Sequence, residues 1–97
     1  MMIKTKFIFL TQQVADHYIV IAKNAEGSPK RCIRCNEVGK IIFEAINEGK
    51  TENEIVANIC QTFNVNPDEV EKDLCQFLKD MVDKQLIDIY SSFGFRL

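Results

Sequence analysis

The sequence has no long apolar run. None approaches the ~20 consecutive residues that cross a bilayer. The apolar stretch Phe7-Ile8-Phe9-Leu10, behind Lys4 and Lys6, is too short for a signal-peptide core, so the sequence alone points to the cytoplasm. Positive charge is not in excess either. Twelve Lys and Arg stand against fourteen Asp and Glu, for a net charge of −2, which leaves no electrostatic footprint for nucleic acid. Residues that do chemistry are scarce. His17 is the single histidine, it has no cysteine, serine or acid cluster around it in sequence, and it reads as a turn residue. No nucleophile–base pair or metal constellation is visible. The expectation is a protein that is not an enzyme, with no catalytic residue, no metal and no cofactor.

Cysteine usage agrees with a reducing compartment. Cys32 and Cys35 form one Cys-x-x-Cys, and Cys60 and Cys75 do not make the second pair that a zinc ribbon needs. In a strand, Cys32 and Cys35 point to opposite faces. A redox pair would want a helix N-terminus, which lowers the pKa of the first thiol. The cysteines therefore read as free thiols. Asp68, Glu69 and Glu71 read as helix-start electrostatics rather than a metal site.

What is present is ordered punctuation. At 97 residues the chain has room for one core and reads as a single domain. The first third is strand-like. Phe7–Leu10, continued by Thr11–Val14, forms one strand, and a turn at Ala15–His17 leads to Tyr18-Ile19-Val20-Ile21. The unbroken apolar character of that second strand suggests burial on both faces. A polar loop from Lys23 to Lys30 precedes a third strand, Arg31–Cys35, whose charge suits an exposed edge.

The pattern then turns helical. Asn36 can cap a helix with Val38, Ile41, Ile42, Ala45 and Ile46 at helical spacing, and Gly49 stands where a left-handed residue is wanted. Thr51 and Glu54 make a capping box for a second helix that stops at Asn64. Asn66-Pro67 opens a third, with Val70, Leu74, Phe77, Leu78, Met81 and Val82 along one stripe. Leu86, Ile87, Ile89 and Tyr90 close the core or start a short last strand, and Ser91–Gly94 reads as a turn or loose tail. The expected fold is α+β and winged-helix-like. Three N-terminal antiparallel strands (about 7–35) pack on a three-helix, helix-turn-helix bundle (about 36–84), with a tail at 88–97.

These ordered motifs resemble the PqqD-like family. They are Asn36-Glu-Val-Gly39, Ile46-Asn-Glu-Gly49, Thr51-Glu-Asn-Glu-Ile55, Phe63-Asn-Val-Asn-Pro67, Asp73-Leu-Cys-Gln-Phe-Leu78 and Leu86-Ile87, with Val14–Ile21 similar to the family's hairpin. The resemblance covers roughly residues 7–89. The chain departs from the pattern at Val38, where Thr is usual, and at Lys84-Gln85, where a Gly is frequent. The resemblance implies a domain that binds the leader segment of a ribosomally made precursor peptide. Such domains add the leader as a strand to the third strand, against the third helix, and present it to a modifying enzyme, often a radical SAM enzyme.

Carried onto this sequence, the strand edge is Lys30, Arg31, Cys32, Ile33 and Arg34, which contains no proline. Its basic residues suit an acidic peptide. An Ile33→Pro change is expected to remove an edge donor. The third helix supplies the other wall through Phe77 and Met81, expected to be half-open, with Asp73 at its flank. The same edge could pair with a second copy of the chain. The competing reading is a DNA-binding winged helix or transcription regulator. Against it, residues 68–84 carry six acids and three lysines, which phosphates would repel.

Overall fold

A computed structural model describes residues 2–90. Its elements run β1 (Met2–Lys4), β2 (Ile8–Val14), β3 (His17–Lys23), β4 (Pro29–Cys35), α1 (Glu37–Asn47), α2 (Glu52–Phe63), α3 (Pro67–Asp83) and β5 (Asp88–Tyr90). The fold is α+β, a three-stranded antiparallel sheet followed by three helices. The expected tail turn at Ser91–Gly94 lies outside the described residues.

Local chemistry sets the boundaries. The Asn36 side chain accepts a hydrogen bond from the Gly39 N–H and so caps α1. Thr51 and Glu54 exchange hydrogen bonds in both directions at the start of α2. Asn66 accepts from the Asp68 N–H ahead of Pro67. Each cap satisfies donors that a helix N-terminus leaves without partners. Asn64, with φ of 52°, ends α2, and Gly49, with φ of 74°, follows α1. After α3 the left-handed position is Gln85, with φ of 61°. A glycine takes that conformation at no steric cost, which accounts for its frequency there in the family pattern.

The sheet is ordered β2-β3-β4. One face lies on α1, and its Phe9, Val20 and Ala22 share a single core cluster with Ile42, Phe43 and Ile46 of α1 and Leu74 and Leu78 of α3. Phe43 joins the two layers. Its ring centre is 4.8 Å from that of Phe9 and 5.4 Å, edge-on, from that of Phe77. Such offset pairs are worth about 0.5–1.5 kcal/mol beyond their burial.

Two points differ from the sequence reading. The three expected N-terminal antiparallel strands are present as β2, β3 and β4, and a further short strand, β1, precedes them, paired antiparallel with β5 from Met2–Tyr90 to Lys4–Asp88. The Thr5 hydroxyl donates to the Leu86 carbonyl at 2.7 Å and accepts from the Phe7 N–H, fixing the exit of β1. The second correction concerns β3. It is buried on one face only. Val20 and Ala22 are fully covered, whereas Ile19 and Ile21 face outward and are half-buried. No helix packs on that outer side among the described residues, so apolar character there has not produced burial.

Candidate functional site

The two edges of the sheet are not equivalent, and the reason is one side chain. Asn47, the last residue of α1, presents its amide to the backbone of β2. The Phe9 N–H donates to Asn47 Oδ1 at 2.9 Å, and Asn47 Nδ2 donates to the Phe9 carbonyl at 2.6 Å. Both polar groups of Phe9 therefore face away from β3, and the Asn47 amide substitutes for a neighbouring strand.

This geometry fixes the phase of the whole sheet. Hydrogen-bonded and non-bonded pairs alternate along an antiparallel ladder. Phe9–Ala22 is a non-bonded pair, so Ala22, Val20 and Tyr18 of β3 turn their N–H and C=O groups towards β4. Their partners there are Arg31, Ile33 and Cys35. The β4 residues between them, Cys32 and Arg34, turn their backbone groups outward. No strand lies beyond β4 among the described residues, so these donors and acceptors form an open edge.

The same phase corrects the expectation for Ile33. Its N–H belongs to the ladder with Val20, so a proline there breaks the sheet rather than the edge. It also separates the basic residues. Arg34 shares the outer face with Ile19, while Arg31 stands on the inner side opposite Ala22. Lys30 sits at the register shift between the Ala22–Arg31 and Lys23–Pro29 pairs and has no partner residue. All three are exposed. The charges are thus spread along the edge rather than gathered on one face.

Where β4 ends, a groove begins. A cavity of ≈ 470 Å³ is lined by Asn36, Val38, Gly39 and Ile42 of the α1 start, Ile59, Phe63 and Val65 around the end of α2, and Glu69, Val70, Asp73, Leu74 and Phe77 of α3. Gly39 makes the junction tight. A Cβ there would lie 2.8 Å from Cys35 Cβ and 3.1 Å from Cys35 Sγ. Only glycine lets α1 approach the end of β4 this closely.

Two of the three expected α3 residues, Asp73 and Phe77, line the groove. Met81 does not. It is 4% exposed and belongs to the core, one turn of α3 beyond Phe77. Gly39 and Asn47 are the residues that sequence reasoning missed. Gly39 carries a signal in the Asn36-Glu-Val-Gly39 motif. Asn47 has none, since its partner is 38 positions away.

The cysteines fall out as alternation requires. Cys32 is exposed and Cys35 half-buried on the opposite face. Burial pushes the Cys35 thiol above its ordinary pKa. Cys75 is also raised, first by burial and then by its hydrogen bond to the largely buried Glu52 carboxylate at 3.4 Å. Both thiols are poor nucleophiles at neutral pH. No helix among the described residues is long and apolar enough to cross a membrane.

Comparison with known proteins bears on this site. No curated protein matches the sequence. A solved structure described as "TbiB1 in Complex with the TbiA(beta) Leader Peptide" superposes with a TM-score of 0.68 at 27% identity, covering 92% of this chain and 99% of that one. The sequence profile of the family described as Coenzyme PQQ synthesis protein D (PqqD) matches residues 20–87, a span running from the middle of β3 to the end of the core. On that match, the chain belongs to the PqqD family.

Proposed function

We propose that this protein captures the leader segment of a ribosomally synthesised precursor peptide and presents it to a modifying enzyme, a radical SAM enzyme being the kind expected. The leader adds as a strand to β4. The observation that carries this reading is the pairing of an open edge at Cys32 and Arg34 with an apolar groove that opens where that strand ends. A peptide laid along β4 would form main-chain hydrogen bonds with Cys32 and Arg34. Its inward-facing side chains would meet the groove wall of Val38, Val70 and Phe77. That TbiB1 was solved with a leader peptide supports the same use of the fold here.

Electrostatics would set the register. Arg31 and Arg34 favour carboxylates along the strand, and Glu69 and Asp73 at the groove exclude them there. An acidic residue is thus expected beside β4, and an apolar anchor beyond its C-terminal end. The test is a fluorescence-anisotropy titration with labelled leader peptides that carry an acidic residue and an apolar anchor, run beside a labelled DNA duplex. Saturable peptide binding, lost in Arg31→Glu/Arg34→Glu with an unchanged thermal melt, is the expected outcome. DNA binding with a steep salt slope and no peptide binding would overturn the reading.

A further inference from the structure

The outer face of the sheet is the largest feature that peptide capture leaves without a role. Ile8, Leu10 and Val14 of β2 are 56%, 45% and 43% exposed, and the register puts Leu10 beside Ile21 and Cys32, with Ile19 next to Arg34. An antiparallel sheet with one wetted face normally alternates apolar-in, polar-out. This sheet is apolar on both sides and, among the described residues, covered on one. Contiguous exposed apolar area of this kind marks an interaction surface.

Along the strands themselves the charge has one sign, the Asp16 carboxylate beside His17 lying in the turn between β2 and β3. β2, β3 and β4 contain no carboxylate, while Lys23 and Arg34 stand on the outer face. The asymmetry extends to the whole molecule. Residues 2–35 carry six cations and two carboxylates, and residues 36–90 carry five cations and twelve carboxylates. Two copies meeting face to face would set like charges against each other. A partner with an apolar surface and an acidic rim meets both features.

Position then selects the partner. Cys32 and Arg34 put their side chains on this face and their backbone groups on the open edge, so a peptide strand added to β4 would extend the same face. A protein docked there would lie against the outward side chains of the bound peptide. We propose that the outer face of the β2-β3-β4 sheet docks the modifying enzyme itself, through an apolar, acid-rimmed surface of that enzyme. This inference rests on the leader-binding reading, and the two can fail separately.

The test starts with a photo-crosslinking benzoylphenylalanine at Leu10 of the full chain, expressed in the producing cells, with the same residue at Lys72 on α3 as control. Mass spectrometry of the adducts is expected to identify a peptide-modifying enzyme at Leu10 and not at Lys72. With that enzyme purified, Leu10→Glu and Ile21→Glu should weaken its binding at least tenfold in calorimetry. Wild-type binding should weaken with added salt, and leader binding by anisotropy should stay within twofold. Leu10→Ser replaces Leu10→Glu if the latter fails to fold. Adducts only with a second copy of the chain or with lipid, equal adducts at Lys72, or unchanged enzyme binding in the variants would overturn the proposal. If the variants lose the enzyme while the wild-type chain binds no leader, the docking face stands and the leader-binding reading falls.

Discussion

Adjacent prolines in β4 should have opposite consequences. Cys32 and Ile33 are neighbours, but the Asn47 amide at Phe9 sets the ladder so that Ile33 bonds to β3 and Cys32 faces outward. Ile33→Pro removes a ladder bond and a half-buried side chain. It should cost about 3 kcal/mol or more, a large share of the ~5–15 kcal/mol that holds a domain together. For a chain of this size the melting temperature should fall by more than about 10 °C. Cys32→Pro removes an N–H that no strand uses, and proline is tolerated on an edge whose N–H faces solvent. Its cost to the fold should stay within about 1 kcal/mol.

Binding should show the reverse sensitivity. A leader strand on β4 would draw on the Cys32 N–H. Without it, one peptide carbonyl loses its partner at a cost of about 1–3 kcal/mol, and the proline ring crowds the incoming strand. Leader affinity should fall at least about tenfold, which corresponds to ~1.4 kcal/mol. Circular-dichroism melts and anisotropy titrations on both variants, with Cys32→Ala to isolate the thiol, decide the matter. If Cys32→Pro binds the leader as tightly as wild type, or if it melts as badly as Ile33→Pro, the assignment of edge and ladder is wrong.

Three further outcomes follow from the same geometry. Asn47→Ala deprives the Phe9 N–H and C=O of both partners and should lower stability by about 1–3 kcal/mol in urea denaturation, with leader binding at β4 retained. Gly39→Ala places a methyl 2.8 Å from Cys35 Cβ. The overpacking cost of about 1–3 kcal/mol should exceed the ~1 kcal/mol that alanine gains over glycine inside a helix, and leader affinity should drop with it because α1 is pushed off the end of β4. Hydrogen bonds from the Thr51 backbone and side chain hold the Glu54 carboxyl below its ordinary value of 4.5. Its folded-state pKa is depressed, so its contribution is complete above that value and is lost as pH falls through the folded pKa. Melting temperatures of wild type and Glu54→Gln should therefore differ at neutral pH and converge in acid.

Much of this architecture is legible in the sequence because it is local. The three N-caps, the capping box at Thr51, the left-handed Asn64 and the breaks between helices each depend on residues within a few positions of one another. The parts that were not legible depend on distance. β1 is a three-residue strand joined to β5 across nearly the whole chain, and no short pattern announces it. The cover over the Phe9 end of the β2 edge comes from Asn47, which looks in sequence like an ordinary helix-end residue. The apolar stripe of α3 does not say which of its members line the groove and which, like Met81, are buried away from it. The run Tyr18–Ile21 signals an apolar strand, but not that only one of its faces is buried.

On the proposed reading, a leader peptide becomes the fourth strand of this sheet at β4. Amide hydrogen exchange, read residue by residue by NMR with and without saturating leader, tests it most directly. Cys32 and Arg34 should exchange at least about tenfold more slowly in the complex, as newly bonded strand amides do. Thr11 and Gln13 on the β2 edge should be unchanged. Protection on β2, or a bound leader that leaves Cys32 and Arg34 exchanging freely, would contradict it.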